Sequence, residues 1–146
     1  MKREFPDLPI LCVGGVAVDI DGQSVLLIRR GKEPLQGEWT LPGGMVELGE
    51  SLKAAVRREV WEETGIRVET LEFLALFERV VREKSGVRFH YVVADYLCQA
   101  KGGRLRPASD VTDARWVRRR DLAKYHLQPK AKEVIRQGFS VAAKLK

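Results

Sequence analysis

The sequence predicts an α/β protein in which a mixed β-sheet lies between helices. Three observations carry that prediction. Val- and Ile-rich runs of strand character recur along the chain, an internal segment has the spacing and caps of an amphipathic helix, and a second such helix follows the last strand. No repeat, linker or low-complexity stretch interrupts the 146 residues, which suit one domain over residues 1–146 that buries about two-thirds of its unfolded surface.

Ile10 to Ile20 reads as a buried strand, apolar and β-branched, with Gly14-Gly15 marking a bulge or a close backbone approach. Asp21-Gly22 is a hairpin signal, so Ser24 to Arg30 is the returning strand. Gly31 to Glu38, with Pro34 and Gly37, is a loop. Trp39 to Leu41 is a short extended piece stopped by Pro42-Gly43-Gly44, and Met45 to Glu47 can pair briefly before Gly49. Ser51 suits the N-cap of the internal helix and Gly65 the position just past its end. Ile66 to Arg82 and Val87 to Gln99 are two long strands joined through Glu83-Lys84-Ser85-Gly86; within the second, Tyr91 to Leu97 is apolar apart from Asp95. Lys101 to Asp110 is a polar loop, Asp113 to Val117 a short strand and Arg118 to Tyr125 a short helical turn. Pro129, at a first helical position, opens the final helix, which runs to about Lys144 with Ala131, Val134, Ile135 and Phe139 on one stripe.

Apolar content of 45% and charged content of 32% describe a folded, soluble protein rather than a disordered one. No apolar run approaches the roughly 20 residues of a membrane span. Met1 to Pro9 is charged and proline-interrupted, with no signal-peptide core, so the cytoplasm is the expected compartment. Cys12 and Cys98 lie in strand-like apolar runs and read as buried free thiols. The net charge of +6 favours anionic partners such as nucleotides or nucleic acid, and equally suits a solvated basic surface.

The internal helix breaks a local rule. With Leu52 at zero and about 100° per residue, Leu52, Ala55, Val56 and Val60 form an apolar face, and Glu59 and Glu63 fall in the same arc, with Glu62 at its edge. Lys53, Arg57 and Trp61 project from the other side. Three carboxylates near a helix C-terminus oppose the macrodipole and repel one another at i,i+3 and i,i+4. Such a violation calls for a compensating cation, and hard Mg²⁺ or Mn²⁺ suits an all-oxygen site. Nothing in the chain looks like a histidine–cysteine metal cluster or a serine triad.

Around that helix runs Gly44, five residues, Glu50, seven residues, then Arg58-Glu59-Val60-Trp61-Glu62-Glu63-Thr64-Gly65-Ile66. This 44–66 segment matches the Nudix box without departure, and Trp39-Thr40-Leu41-Pro42-Gly43 resembles the usual approach to it. The chain is thus identified as resembling the Nudix hydrolases, mutator-type or ADP-ribose pyrophosphatase-like. The resemblance implies a Nudix α/β/α sandwich with a loop–helix–loop catalytic motif. It also implies a metal-dependent pyrophosphohydrolase that uses water to cleave a phosphoanhydride of a nucleoside diphosphate linked to another group, as in a nucleotide sugar or a nucleoside triphosphate. It makes Glu59 and Glu63 the expected metal ligands, Glu62 a third ligand or the polariser of the attacking water, and the Gly43 carbonyl a further ligand. Glu50 would bind metal directly or through water, and Arg58 would orient a carboxylate.

For the base, the late acidic loop offers Asp110 first and Asp113 second, with Glu62 as the substitute. Substrate contacts are expected from Arg29 and Arg30, which end a strand, from Trp39, which either stacks on a base or packs against the box loop, and from Arg79. Arg82, Phe89 and His90 are further candidates to shape the pocket, His90 more as a structural residue. ADP-ribose-specific relatives often carry a proline where this chain has Val81, which argues against that substrate. An RNA-directed alternative, cap removal or binding without turnover, would use Arg115, Arg118, Arg119 and Arg120. A homodimer is compatible with the family.

Overall fold

The structure, a computed structural model, describes residues 2–145, so Met1 of the N-terminal reading lies outside it. Seven strands form one sheet: β1 (Ile10–Val18), β2 (Ser24–Arg30), β3 (Trp39–Thr40), β4 (Gly43–Met45), β5 (Ile66–Glu83), β6 (Gly86–Gly103) and β7 (Val111–Arg118). Helix α1 (Leu52–Thr64) interrupts them, and a 3₁₀ segment, Arg119–Tyr125, leads to helix α2 (Pro129–Lys144). The order is β3-β2-β1-β6-β5, with β4 on β1 and β7 on β2. β1 and β6 run parallel and the other pairs antiparallel, so the sheet is mixed as expected.

Strand alternation gives each helix its own face of the sheet. Val13 and Ala17 of β1 pack with Ala55, Val56 and Val60 of α1. Val16 and Val18 pack with Val134, Ile135 and Phe139 of α2. The Gly14-Gly15 pair is a close approach and not a bulge, because β1 keeps one register with β6 throughout. A Cβ on Gly15 would stand 3.2 Å from methyl groups of both Val56 and Val60.

The ends of α1 follow the caps. The Ser51 hydroxyl accepts the Ala54 N–H at 3.1 Å, and Gly65 takes φ +76° while donating its N–H to Trp61 O. Several boundaries differ from the sequence reading by a residue or more, and four of them have a local cause. β1 stops at Val18 because Asp19 Oδ1 accepts the N–H groups of Gln23 and Ser24 and turns the chain early. β4 forms at Gly43–Met45 and not at Met45 to Glu47, since two glycines let the backbone lie against Cys12–Gly14. β6 continues through Lys101–Gly103, taken for loop, where it pairs with Ile66 and Arg67. β7 starts two residues early, at Val111.

One feature of the topology builds a cleft. β1 and β2 share a single paired position, Val18↔Val25. Beyond it the strands splay: β4 takes the β1 edge, while β2 pairs with β3 and β7.

Candidate functional site

The splay opens a cavity of about 1000 Å³ between the two halves of the sheet, with Arg30, Gly43, Glu59, Glu63, Arg79 and Asp95 among its walls. The last two turns of α1 supply the acidic wall. Glu63 is 8% exposed, and its Oε1 accepts the Gly43 N–H at 2.8 Å. Burial pushes its carboxyl up to about 8, against the opposing effect of that N–H. Burial also raises the Glu59 carboxyl, although Arg58 pulls the other way. Gly44 is required by Glu59: a Cβ there would lie 2.5–2.7 Å from the carboxylate atoms.

Arg58 stands at the centre of the acids and uses all five of its N–H donors. Nε and Nη2 grip Glu50 bidentately at 2.7 and 2.8 Å, Nη1 reaches Glu59 at 2.8 Å and Glu62 at 3.2 Å, and Nη2 also donates to Met45 O at 3.0 Å. That grip holds the Glu50 carboxyl down at about 2 and strengthens the guanidinium's hold on its proton. The orienting role expected of Arg58 therefore has a geometry.

The raised Glu63 sets a stability profile. Below the ordinary value of 4.5 the group is protonated folded and unfolded. As pH rises toward about 8 the unfolded chain ionises first, so the stability this group contributes is progressively lost. Urea unfolding of metal-free protein should show lower stability at pH 8 than at pH 5, with a smaller difference in Glu63→Gln. An unchanged difference would remove Glu63 as its source.

The other expected site residues divide. Asp110 sits on the rim, exposed and paired with Lys32 at 2.5 Å, near enough for its charge to raise the Glu63 carboxyl. Glu62 is also at the rim, its side chain 41% exposed. Arg30 lines the cleft and donates to Pro34 O, and Arg79 lines it beside Phe77. Arg29 does not join them: strand alternation turns it outward to Gly37 O at 2.9 Å. Trp39 packs edge-on against Tyr125 at 5.1 Å, with Arg115 over its ring, and is not in the cleft wall. Asp113 is absent from the wall too, bonded to Ala114 N and Arg115. Phe89 is core, and His90 faces Glu78.

The basic run offered for RNA is exposed and partly paired within the chain, Arg115 with Asp113, Arg118 with Asp21 and Arg119 on the Phe139 ring. Lys32, Tyr91 and Asp95 also line the cleft, beyond the residues to which the sequence points. For Asp95 the signal was present, a lone acid in an apolar strand.

The donor set fits an oxygen-seeking divalent ion in its chemistry. Glu59 and Glu63 lie one helical turn apart, both desolvated, with Gly43 and Gly44 pressed against them. As the side chains stand, no three acidic, histidine or cysteine groups among the described residues converge on one ion-sized point. Three of the carboxylates are turned onto Arg58 instead. Among the described residues no helix is long and apolar enough to cross a membrane.

Comparisons agree with this geometry. A family model described as NUDIX domain matches residues 9–138. A MutT-like protein of Streptomyces ambofaciens is 40% identical over 77% of this chain and 66% of its own length. An ADP-ribose pyrophosphatase of Methanocaldococcus jannaschii is 33% identical over 74% of this chain and 65% of its own length. The matched region thus spans slightly less than two-thirds of each of these relatives. Among solved structures, a MutT NUDIX hydrolase from Burkholderia pseudomallei superposes with a TM-score of 0.71 at 29% identity, covering 90% of this chain and 98% of the other.

Proposed function

Because the chain belongs to the NUDIX domain family, we propose that it is a divalent-metal-dependent pyrophosphohydrolase acting on a nucleoside diphosphate linked to another group. The observation that carries this reading is the desolvated Glu59–Glu63 pair beside Gly43, at the wall of a cleft that also holds Arg30 and Arg79. Glu59, Glu63 and the Gly43 carbonyl would hold Mg²⁺ or Mn²⁺, with Glu62 and Glu50 completing the acidic shell. When bound, the ion would neutralise phosphate charge and lower the cost of attack by water.

The chain's own residues do the rest. Arg30, Arg79 and Lys32 bind and orient the phosphates, which needs fixed cations more than covalent chemistry. Arg58 keeps the carboxylates aimed. The candidates to take the water's proton are Glu62 and Asp110. We assign Glu62, because helix α1 holds it next to Glu63 and one turn from Arg58, whereas Asp110 lies on a separate loop at the exposed rim.

The test is a panel of nucleotides with Mg²⁺ or Mn²⁺ and analysis of the phosphate products. In that assay Glu62→Gln should lower kcat by about 10²–10⁴-fold and Asp110→Asn by no more than about tenfold. The reverse ranking would move the base to Asp110. No product from any nucleotide would overturn the hydrolase reading.

A further inference from the structure

Helix α1 has an outer face that the cleft does not use. Lys53, Arg57 and Trp61 follow one another at i, i+4 and i+8, all exposed, on the side of the helix away from Glu59 and Glu63. The Trp61 ring is 51% exposed and, unlike that of Trp39, has no aromatic or cationic partner among the described residues. Past the end of the helix this face runs into a groove of about 480 Å³, lined by Trp61, Gly65, Arg67, Arg104, Leu105 and Arg106. Trp61 therefore stands between two sets of cations.

Arginines beside a helix C-terminus ordinarily serve the helix, through its free carbonyls and its dipole. Here other groups already take those carbonyls. The Gly65 N–H donates to Trp61 O at 2.8 Å, the Arg106 N–H to Thr64 O at 2.8 Å and the Ala108 N–H to Glu63 O at 3.1 Å, while the Thr64 hydroxyl donates to Val60 O. Glycines let the chain lie this close: a Cβ on Gly65 would collide with Arg104 O, and one on Gly103 with Gly65 O. The charged side chains are left over. Those of Lys53, Arg57, Arg67, Arg104 and Arg106 make no hydrogen bond or ion pair among the described residues. Neighbouring acids in the chain are already paired, Glu62 with Arg58 at 3.2 Å and Glu69 with Lys101 at 3.1 Å.

Unpaired cations that flank an open indole fit a ligand that is anionic along its length and carries exposed planar rings. We propose that the outer face of α1, from Lys53 through Trp61 to Arg104 and Arg106, binds single-stranded nucleic acid, apart from the cleft and independently of any turnover there. Phosphates would meet the guanidiniums and the Lys53 ammonium, and an unpaired base would stack on Trp61. An acidic peptide supplies the charge without the rings. A membrane surface would call for several exposed apolar side chains, and among the described residues of this face Trp61 is the one large apolar side chain that is exposed. The Arg115, Arg118, Arg119 and Arg120 side chains take no part in this surface.

Fluorescence anisotropy of a labelled oligo(dT) of about 12 nucleotides, titrated with the full-length protein over a range of salt, tests this. Oligo(dT) has no phosphoanhydride, so the measurement is independent of hydrolysis. Affinity in wild type should fall with a log–log salt slope of about −3.5, from roughly 0.7 for each of five phosphate contacts. Trp61→Ala should weaken binding about fivefold or more, and Trp61→Phe, which keeps a ring, should restore most of it. The double variant Arg104→Ala/Arg106→Ala should make the slope shallower by about 1.4. Thermal melts check that each variant folds, and if Trp61→Ala does not, the arginine pair decides alone. No binding at low salt, or binding unchanged in folded Trp61→Ala or in the arginine variant, overturns the proposal. So does equally tight binding of poly-glutamate of matching charge, which would make this a docking face for an acidic protein.

Discussion

Glu63→Gln should lower kcat by roughly 10³-fold or more in Mg²⁺ while leaving the fold intact, because it removes a charge from the metal shell and nothing from the packing. Glu63 is the most buried of the acids on α1, and among the described residues its one hydrogen bond is accepted from the Gly43 N–H. The amide oxygen of glutamine can accept the same bond at the same place. Glutamine is also neutral, so the desolvation that lifts the glutamate to about 8 no longer acts. The melting temperature of metal-free Glu63→Gln at pH 8 should therefore equal or exceed that of wild type. Steady-state kinetics over a Mg²⁺ titration, with thermal melts of both proteins, check the two halves separately. Full activity in the variant would remove Glu63 from the metal shell, and loss of activity with loss of fold would make it a structural residue.

Arg58→Lys should cost about 10–100-fold in activity or metal affinity, the range seen when a group that orients metal ligands is lost. The charge is kept, so the expected loss comes from geometry. Lysine offers three donors from one point, whereas Arg58 spreads five over Glu50, Glu59, Glu62 and Met45 O. The bidentate grip on Glu50 cannot be reproduced by an ammonium. Its carboxyl, held at about 2 in the wild type, should titrate closer to the ordinary value of 4.5 in the variant. The folded value is depressed, so its stabilising effect is present above 4.5 and lost as pH falls toward 2, and the variant should lose less stability across that window. A higher Mg²⁺ concentration for half-maximal activity, with kcat partly restored at saturation, is the signature of a positioning role. An unchanged Mg²⁺ dependence would leave Arg58 with structure alone.

Much of this site could be read before any fold was known, and the reason is local. Glu59, Glu62, Glu63 and Arg58 are joined by helical periodicity, so their sequence spacing already states which share a face. Ser51 and Gly65 bracket the helix because capping chemistry is decided within a few residues. The residues that strand reasoning misplaced failed for a different reason. Arg29 and Arg30 are neighbours of identical type, and only the pleat of β2 against its partners sends one to Gly37 and the other into the cleft. Trp39 has the chemistry of a base-stacking residue, but Tyr125 and Arg115, far along the chain, pack against its ring. Asp113 resembled Asp110 until β7 began at Val111 and drew it into the strand.

The sequence by itself determined the α/β class, the internal helix with its caps, the box from Gly44 to Ile66 and the acid set around Arg58. Each is encoded within a turn of helix, a capping motif or a short alternating run, where bonded geometry decides facing. The tertiary structure decided the cleft. It exists because β1 and β2 pair only at Val18↔Val25 and then part, which no local pattern records. That parting brings Arg30, Arg79 and Asp95 to one cavity from three strands. Burial, a property of the assembled sheet, then lifts Glu63 and Asp95 far from their ordinary acidity. Their desolvation comes from residues distant in the chain.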